Sequence, residues 1–312
     1  MKEIAEILRL WRSRCGASCA LATLVQTQGS SYRGPGARML IAPDRASAGS
    51  LSGGCLEEEV ADAGLDVLRS GESVLMEFDT RRRFGCHGRI AVFVERASES
   101  FLPQLEELLQ ERRSCRAVTV FIPEAEWRGT RILRPDEEVP AGAFLQEIVP
   151  PLQLLIFGDG PDSAPLRAFA EILGWAVIEC EGGAGLPNAV DARTAAVVKS
   201  HNYGRDCAAL RQLLQLGLPY VGLLGPRRRR DELIGDLLDS GVVLASELFA
   251  PAGLDLRAET PEEIALAIVA EIQGVFAEGS GESLRDRKAP IHGWKIAPPA
   301  NGITAACEVS AR

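Results

Sequence analysis

The sequence predicts an α/β protein of two domains, the second a doubly wound parallel sheet. Three observations carry that reading. At 312 residues the chain is long enough for two cores of ordinary size. In its second half, short apolar runs alternate with segments of helical period, the pattern of parallel strands joined by helical crossovers. Between the halves stands Val149-Pro150-Pro151, whose double proline is hostile to helix and central strand alike. The expected divisions are an amino-terminal α/β domain over 1–150, a doubly wound domain over 151–277 and a peripheral tail over 278–312.

The elements follow in order. Met1 to Trp11 alternates Lys2, Glu3, Glu6 and Arg9 with apolar residues and reads as an amphipathic helix rather than a signal peptide. Ser18 to Thr27 reads as a strand, Gln28 to Gly36 as a turn-rich loop and Arg38 to Ala42 as the return strand. The glycine-rich turn Gly49 to Cys55 opens onto a helix that carries Leu56, Val60, Ala63 and Val67 on one face. Arg89 to Glu95 is a strand, Leu102 to Arg112 a helix and Ala117 to Ile122 a strand, and Pro123 to Pro151 is a mixed polar stretch. Beyond it, strands are expected at Leu152 to Phe157, Trp175 to Cys180, Thr194 to Lys199 and Tyr220 to Leu224. Helices are expected from Gly160 through Leu173, and at Asp206 to Leu216, Arg228 to Leu238 and Pro261 to Phe276. The tail from Glu278 is rich in Gly, Pro and Ser, as peripheral segments are.

Composition excludes several function classes. With 43 acidic and 34 basic side chains, the net charge of −9 argues against nucleic acid as a partner. No apolar run approaches the roughly 20 residues that span a bilayer, so no membrane is expected. The eight cysteines show no CxxC pair and no zinc-ribbon spacing. A reduced, cytoplasmic protein is the expectation, with most thiols packed as small hydrophobes.

Gly158-Asp159-Gly160 lies between a predicted strand and a predicted helix, where a Rossmann-like dinucleotide turn lies. The third glycine of GxGxxG is replaced by Ser163, and Glu179 or Glu181 ends the following strand where an acid would bind ribose. The turn serves NAD(P) or packing alone. His201 and Asn202 follow the third strand and, with Asp206, form a candidate polar site at the sheet edge. In the first half, Gly53-Gly54-Cys55 puts a thiol at a helix mouth, where dipole and N–H groups favour thiolate. A second thiol, Cys86, adjoins His87 and follows Arg81, Arg82 and Arg83 in an electropositive loop.

Together, the segments GSSYRGPGARMLI, GSLSGGCLEEEV, GCHGRIAVFVE, LLIFGDGPDSAPL, VVKSHNYGRDCAALRQLL and YVGLLGPRRR resemble the xanthine dehydrogenase accessory proteins of the XdhC/CoxI type, in order and over nearly the whole chain. The resemblance implies a chaperone, not a turnover enzyme. It would bind molybdenum cofactor (molybdopterin) and deliver it to a xanthine dehydrogenase-like molybdenum hydroxylase, with a cofactor sulfurase as a further partner and a homodimeric state. On this reading the glycine-rich turns, Gly53 and Gly54 among them, hold the phosphate, Arg33, Arg38 and Arg81 to Arg83 add charge-assisted hydrogen bonds, and Cys55 and Cys86 are soft donors toward the metal. The alternative is an NAD(P)-dependent oxidoreductase working through the Rossmann-like domain. Departures from the family pattern cluster in that domain. Gly158-Asp159-Gly160-Pro161 stands for GAGH, Glu181-Gly182-Gly183 for Asp-x-Arg, Pro226 for the Ser of LGSR, and Phe249 to Leu254 for HAPIGL.

Overall fold

Charged residues spaced around an apolar stripe make the first helix, α1 (Lys2–Ser13), which buries Ile7 and Leu8. The computed structural model describes residues 2–14, 17–79, 88–180, 186–187 and 189–288. Cys15, Thr80 to His87, Glu181 to Gly185 and the tail from Ala289 lie outside the described residues. Two compact units divide the chain between Val149 and Pro150.

In the amino-terminal unit, β1 (Ala20–Gly29) is the central strand, and its β-branched and apolar residues suit a pleat covered on both faces. It pairs antiparallel with β2 (Arg38–Ile41) and β5 (Gly88–Arg96). β3 (Ser47–Gly49) and β4 (Val74–Asp79) complete the sheet in the order β3-β2-β1-β5-β4. α2 (Glu57–Ser70) packs Val60, Ala61 and Val67 against Leu24, Met39, Ile41 and Val92 on one face. It stops at Gly71, whose positive φ of 80° lets its N–H reach the Val67 carbonyl. After α3 (Phe101–Gln110), a second antiparallel sheet forms from β6 (Cys115–Val120), β7 (Gly129–Leu133) and β8 (Phe144–Ile148), in the order β7-β6-β8. Phe121, just after β6, and Phe144, on β8, meet Val25, Ala91 and Phe93 on the other face of the first sheet.

The stretch 123–151, read from the sequence only as mixed and polar, therefore carries two strands, and residues 74–79 carry a third that periodicity did not reveal. All three keep half-exposed or exposed positions along their length, so their apolar density is too low to stand out.

A polar seam joins the two sheets. Glu95 on β5 accepts from the Thr130 N–H at 2.9 Å and the Thr130 hydroxyl at 2.5 Å, and Thr130 shares a 2.9 Å hydroxyl contact with Thr119. Arg38 on β2 donates to the Gly36 carbonyl and to the Gln146 side chain of β8. Burial raises the Glu95 carboxyl to about 7, and the Thr130 bonds and the Arg38 charge only partly offset it. Burial likewise lowers the Arg38 guanidinium to about 10.

The second unit is the parallel, doubly wound sheet that the alternating pattern predicts. β9 (Gln153–Phe157), β10 (Ala176–Cys180), β11 (Thr194–Val198), β12 (Tyr220–Leu223) and β13 (Leu248–Phe249) are all parallel, in the order β10-β9-β11-β12-β13. Apolar residues run without alternation through β9 and β11 because both faces are covered. On one face α4 (Ser163–Ile172) and α7 (Pro261–Phe276) pack Leu166, Ile268 and Ile272 against Leu154, Ile156 and Val197. On the other, α5 (Tyr203–Leu213) and α6 (Arg227–Asp239) pack Leu210, Leu213, Leu233 and Leu237 against Leu155, Val198 and Leu223. α7 starts on a full capping box, Thr260 accepting from the Glu263 N–H and Glu263 accepting from the Thr260 N–H. No described helix is long and apolar enough to cross a membrane.

The seam yields a pH prediction. A carboxyl raised from 4.5 to about 7 contributes stability that is complete below pH 4.5 and is lost as pH rises to about 7. Relative to Glu95→Gln, the wild type should lose up to about 3 kcal/mol across that window in urea titrations. A gap that stays constant with pH would show that Glu95 titrates normally.

Candidate functional site

The amino-terminal candidate is the turn before α2. A carboxylate at the first helical position lies where free N–H groups converge, and Glu57 takes them. Its two oxygens accept from the N–H groups of Leu51 (3.2 Å), Ser52 (2.9 Å) and Leu56 (3.0 Å), and from the hydroxyls of Ser50 (2.9 Å) and Ser52 (2.7 Å). Burial alone would raise this carboxyl; the bonds from Ser52, Leu56 and Ser50 outweigh it and hold the group at about 2. The Cys55 N–H donates in turn to the Ser52 hydroxyl at 3.1 Å. Gly54 has φ +104°, with no atom near the place a Cβ would take, and a Cβ on Gly53 would stand 4.0 Å from the edge of the exposed Tyr32 ring. The result is a tightly bonded turn presenting two bare backbone units and the exposed Cys55 thiol.

This corrects part of the expected cradle. The N–H groups of Leu51, Ser52 and Leu56 are committed to an internal carboxylate and are not offered to a phosphate. Arg33 is ion-paired with Glu3 at 2.5 Å. Arg38 is buried in the seam between the sheets, because alternation along β2 turns it away from the α2 face that holds Met39 and Ile41. Cys86 and His87, expected beside Cys55, lie outside the described residues, as do Arg81 to Arg83. Cys19, Cys115 and Cys180 are buried, and burial raises each thiol, which keeps them protonated and inert. Among the described residues no three His, Cys, Asp or Glu side chains gather as a metal site.

The second candidate is a cleft of about 680 Å³ at the carboxyl edge of the parallel sheet, where strand order switches between β9 and β11. Gly158 makes the turn possible: at φ +113°, a Cβ there would fall 2.5 Å from the Ser200 Cα. Gly160 (φ +137°) rests over a buried pair, Lys199 Nζ to Asp162 Oδ1 at 3.0 Å. Asp206, also fully buried, accepts from the Ser200 N–H (3.1 Å) and hydroxyl (2.5 Å) and pairs with Arg229 at 2.5 Å. These pairs were not legible as sites; the signal was a lysine and a serine that directly follow the apolar run of β11.

His201 and Asn202 do not form the expected site with Asp206. His201 is exposed, in a left-handed turn at φ +53°, and Asn202 is spent capping α5 through the Arg205 N–H at 3.0 Å. Glu181 lies outside the described residues, and Glu179 is ion-paired with Arg167.

A nicotinamide dinucleotide is the ligand such a turn ordinarily takes, and the residues present do not fit one. Pro161 and Pro165 remove two N–H groups from the start of α4, and the Ser163 N–H is bonded to the Gly160 carbonyl. Asp159 adds a negative charge where pyrophosphate would lie, and Glu179, a candidate ribose-binding acid, is engaged by Arg167.

A Glu57→Gln variant should speed amide exchange at Leu51, Ser52 and Leu56 at least about fivefold, by about 1–3 kcal/mol of lost charge-assisted bonding. Unchanged exchange would mean the turn holds itself without the carboxylate.

Comparisons with known proteins agree with this architecture. The profile described as "XdhC and CoxI family" matches residues 13–79, and that described as "XdhC Rossmann domain" matches residues 154–272. A probable xanthine dehydrogenase subunit of Bacillus subtilis (strain 168) is 31% identical over 81% of this chain and 91% of its own length. The molybdenum cofactor insertion chaperone PaoD of Escherichia coli (strain K12) is 24% identical over 83% of this chain and 84% of its own. A crystal structure described as a xanthine dehydrogenase from Bacillus halodurans shares the fold, with a TM-score of 0.73 over 91% of this chain and 98% of that one, at 24% identity. The turn before α2 lies in the first matched segment and the switch-point cleft in the second, and the chain belongs to the XdhC and CoxI family.

Proposed function

We propose that this protein is an accessory protein that binds molybdenum cofactor as cargo and passes it to a molybdenum hydroxylase of the xanthine dehydrogenase type. The carrying observation is kinship over most of its length with a named insertion chaperone, PaoD, and with a probable xanthine dehydrogenase subunit. The amino-terminal turn supplies a physical basis. Cargo that must be released calls for a contact that is soft, single and exposed, rather than a closed multi-ligand cage. Cys55 offers one thiol on a turn already bonded into place before the cargo arrives, so little ordering entropy is lost on capture. The bare backbone of Gly53 and Gly54 and the neighbouring Tyr32 ring give a flat cofactor a face to lie against. A sulfurase as second partner, a homodimeric state and a cytoplasmic setting complete the reading.

The misfit of the switch-point cleft to a dinucleotide speaks against the oxidoreductase alternative. Protein purified without oxygen from cells that make the cofactor should carry molybdopterin, and Cys55→Ala should lower the load at least fivefold without altering the circular dichroism. Wild-type protein that carries none, or a Cys55→Ala variant that loads normally, would contradict this assignment.

A further inference from the structure

The seam between the two antiparallel sheets of the first unit holds donors that no described residue takes up. Arg38 is 3% exposed, and its Nη1 is spent on the Gly36 carbonyl and the Gln146 side chain. Its Nε and Nη2, whose parallel N–H groups form the fork of the guanidinium, are buried without a partner among the described residues. Both oxygens of Glu95, the carboxyl group of the seam, accept from Thr130 instead. The Phe101 ring lies 5.8 Å from the Arg38 guanidinium carbon, a contact that eases burial of the cation and leaves the fork unfilled. The orphans continue along one row of the sheet. Thr23 on β1 stands opposite Arg38 on β2 and opposite Phe93 on β5. All three turn away from the α2 face, which their neighbours Ala22, Leu24, Met39 and Val92 fill. The Thr23 hydroxyl is fully buried and unpartnered among the described residues. Arg128 reaches over the Phe93 ring, 5.2 Å from its centre, and its Nε is likewise buried and unpartnered. Orphaned donors on three side chains thus gather over this row, and two of those side chains are cations.

Charge decides what the orphans call for. The charged and titratable groups that face the seam are Glu95 of β5, Arg38 of β2, Cys115 of β6 and Arg128 just before β7. Burial raises the Cys115 thiol and keeps it protonated. Glu95, raised to about 7 by burial, is uncharged below neutrality, so the guanidinium groups then lack a counter-charge in the seam. Water satisfies N–H groups but leaves the charge unmatched, and an unmatched buried ion is strongly destabilising. An anion answers both needs, and the sealing of the donor atoms from solvent restricts it to a small one. We infer that the seam is a binding site for a small monovalent anion of halide size, held by the Arg38 fork beside the Thr23 hydroxyl and Arg128, and taken up together with a proton on Glu95. When Glu95 ionises it supplies the negative charge itself, and the anion leaves. This inference is independent of the cargo reading, and protein free of molybdopterin tests it.

Thermal unfolding of the full-length protein in sodium bromide and in sodium gluconate, at equal ionic strength and on either side of the Glu95 transition, is the test. Gluconate is too large for the seam, and comparing two pH values cancels the general effect of each salt. The bromide-minus-gluconate difference in Tm should be higher at about pH 6 than at about pH 8.5, by about 3 °C or more. Glu95→Gln, which never ionises, should show the same difference at both pH values. Arg38→Met should remove the bromide effect at both. Where that variant does not fold, crystals of the wild type grown in bromide at the lower pH give the direct reading, with the anomalous signal beside Nε and Nη2 of Arg38. A wild-type difference that does not change with pH, the same pH dependence in Glu95→Gln, a bromide effect that survives Arg38→Met, or a water in place of bromide at the fork would overturn the inference.

Discussion

A carboxylate drawn partly out of water must collect hydrogen-bond donors, and in this protein the donors it collects are those of the loops. Glu57 is the clearest case: five donors from Ser50 to Leu56 converge on its two oxygens. The same constraint recurs in each unit. Asp206 ties down Ser200 after β11, and Glu271 accepts both the Tyr220 hydroxyl at 2.7 Å and the Gly253 N–H at 2.8 Å. Glu95 does so across the seam between the antiparallel sheets. Loops that would otherwise fray are thus fixed by internal carboxyl groups, at the cost of desolvating them.

That constraint decides what remains for ligands. Backbone N–H groups spent on Glu57 cannot cradle a phosphate, so the turn before α2 offers a thiol and bare glycine backbone instead of an anion hole. Among the charged residues lining the cleft of the second unit, the ion pairs leave Asp159 and Arg205 as those with no side-chain partner among the described residues. A fold that commonly serves dinucleotides has here lost the donor-rich turn on which that service depends.

The second unit was legible almost element by element, since buried parallel strands are continuous apolar runs and their helices have clear periods. The helix Pro261 to Phe276 matches its expected ends, its start marked by Thr260, Pro261 and Glu263. The strand at 248–249 escaped because two residues carry no period. In the first unit, β7 and β8 escaped because each turns part of its surface to solvent, and Arg-Ile and Gln-Glu neighbours blur the apolar count. Site residues were legible by type and loop, less so by partner. Cys55, Gly53, Gly54, Gly158 and Gly160 lie in exposed turns or line the cleft, where turn chemistry puts them. Arg38 did not, since nothing in a local window tells a surface arginine from one facing a second sheet contributed by residues a hundred positions later. Family membership was legible through the order of motifs along the chain rather than through any one of them.

Transfer is the central claim, and it can be watched directly. Protein loaded with molybdenum cofactor is mixed without oxygen with cofactor-free xanthine dehydrogenase, and hydroxylase activity is followed alongside molybdopterin in each separated protein. Activity should rise as molybdopterin leaves this protein and enters the enzyme, in equal amounts and faster than with free cofactor at the same concentration. Activation no faster than by free cofactor, or molybdopterin that stays on this protein while the enzyme remains inactive, would contradict it.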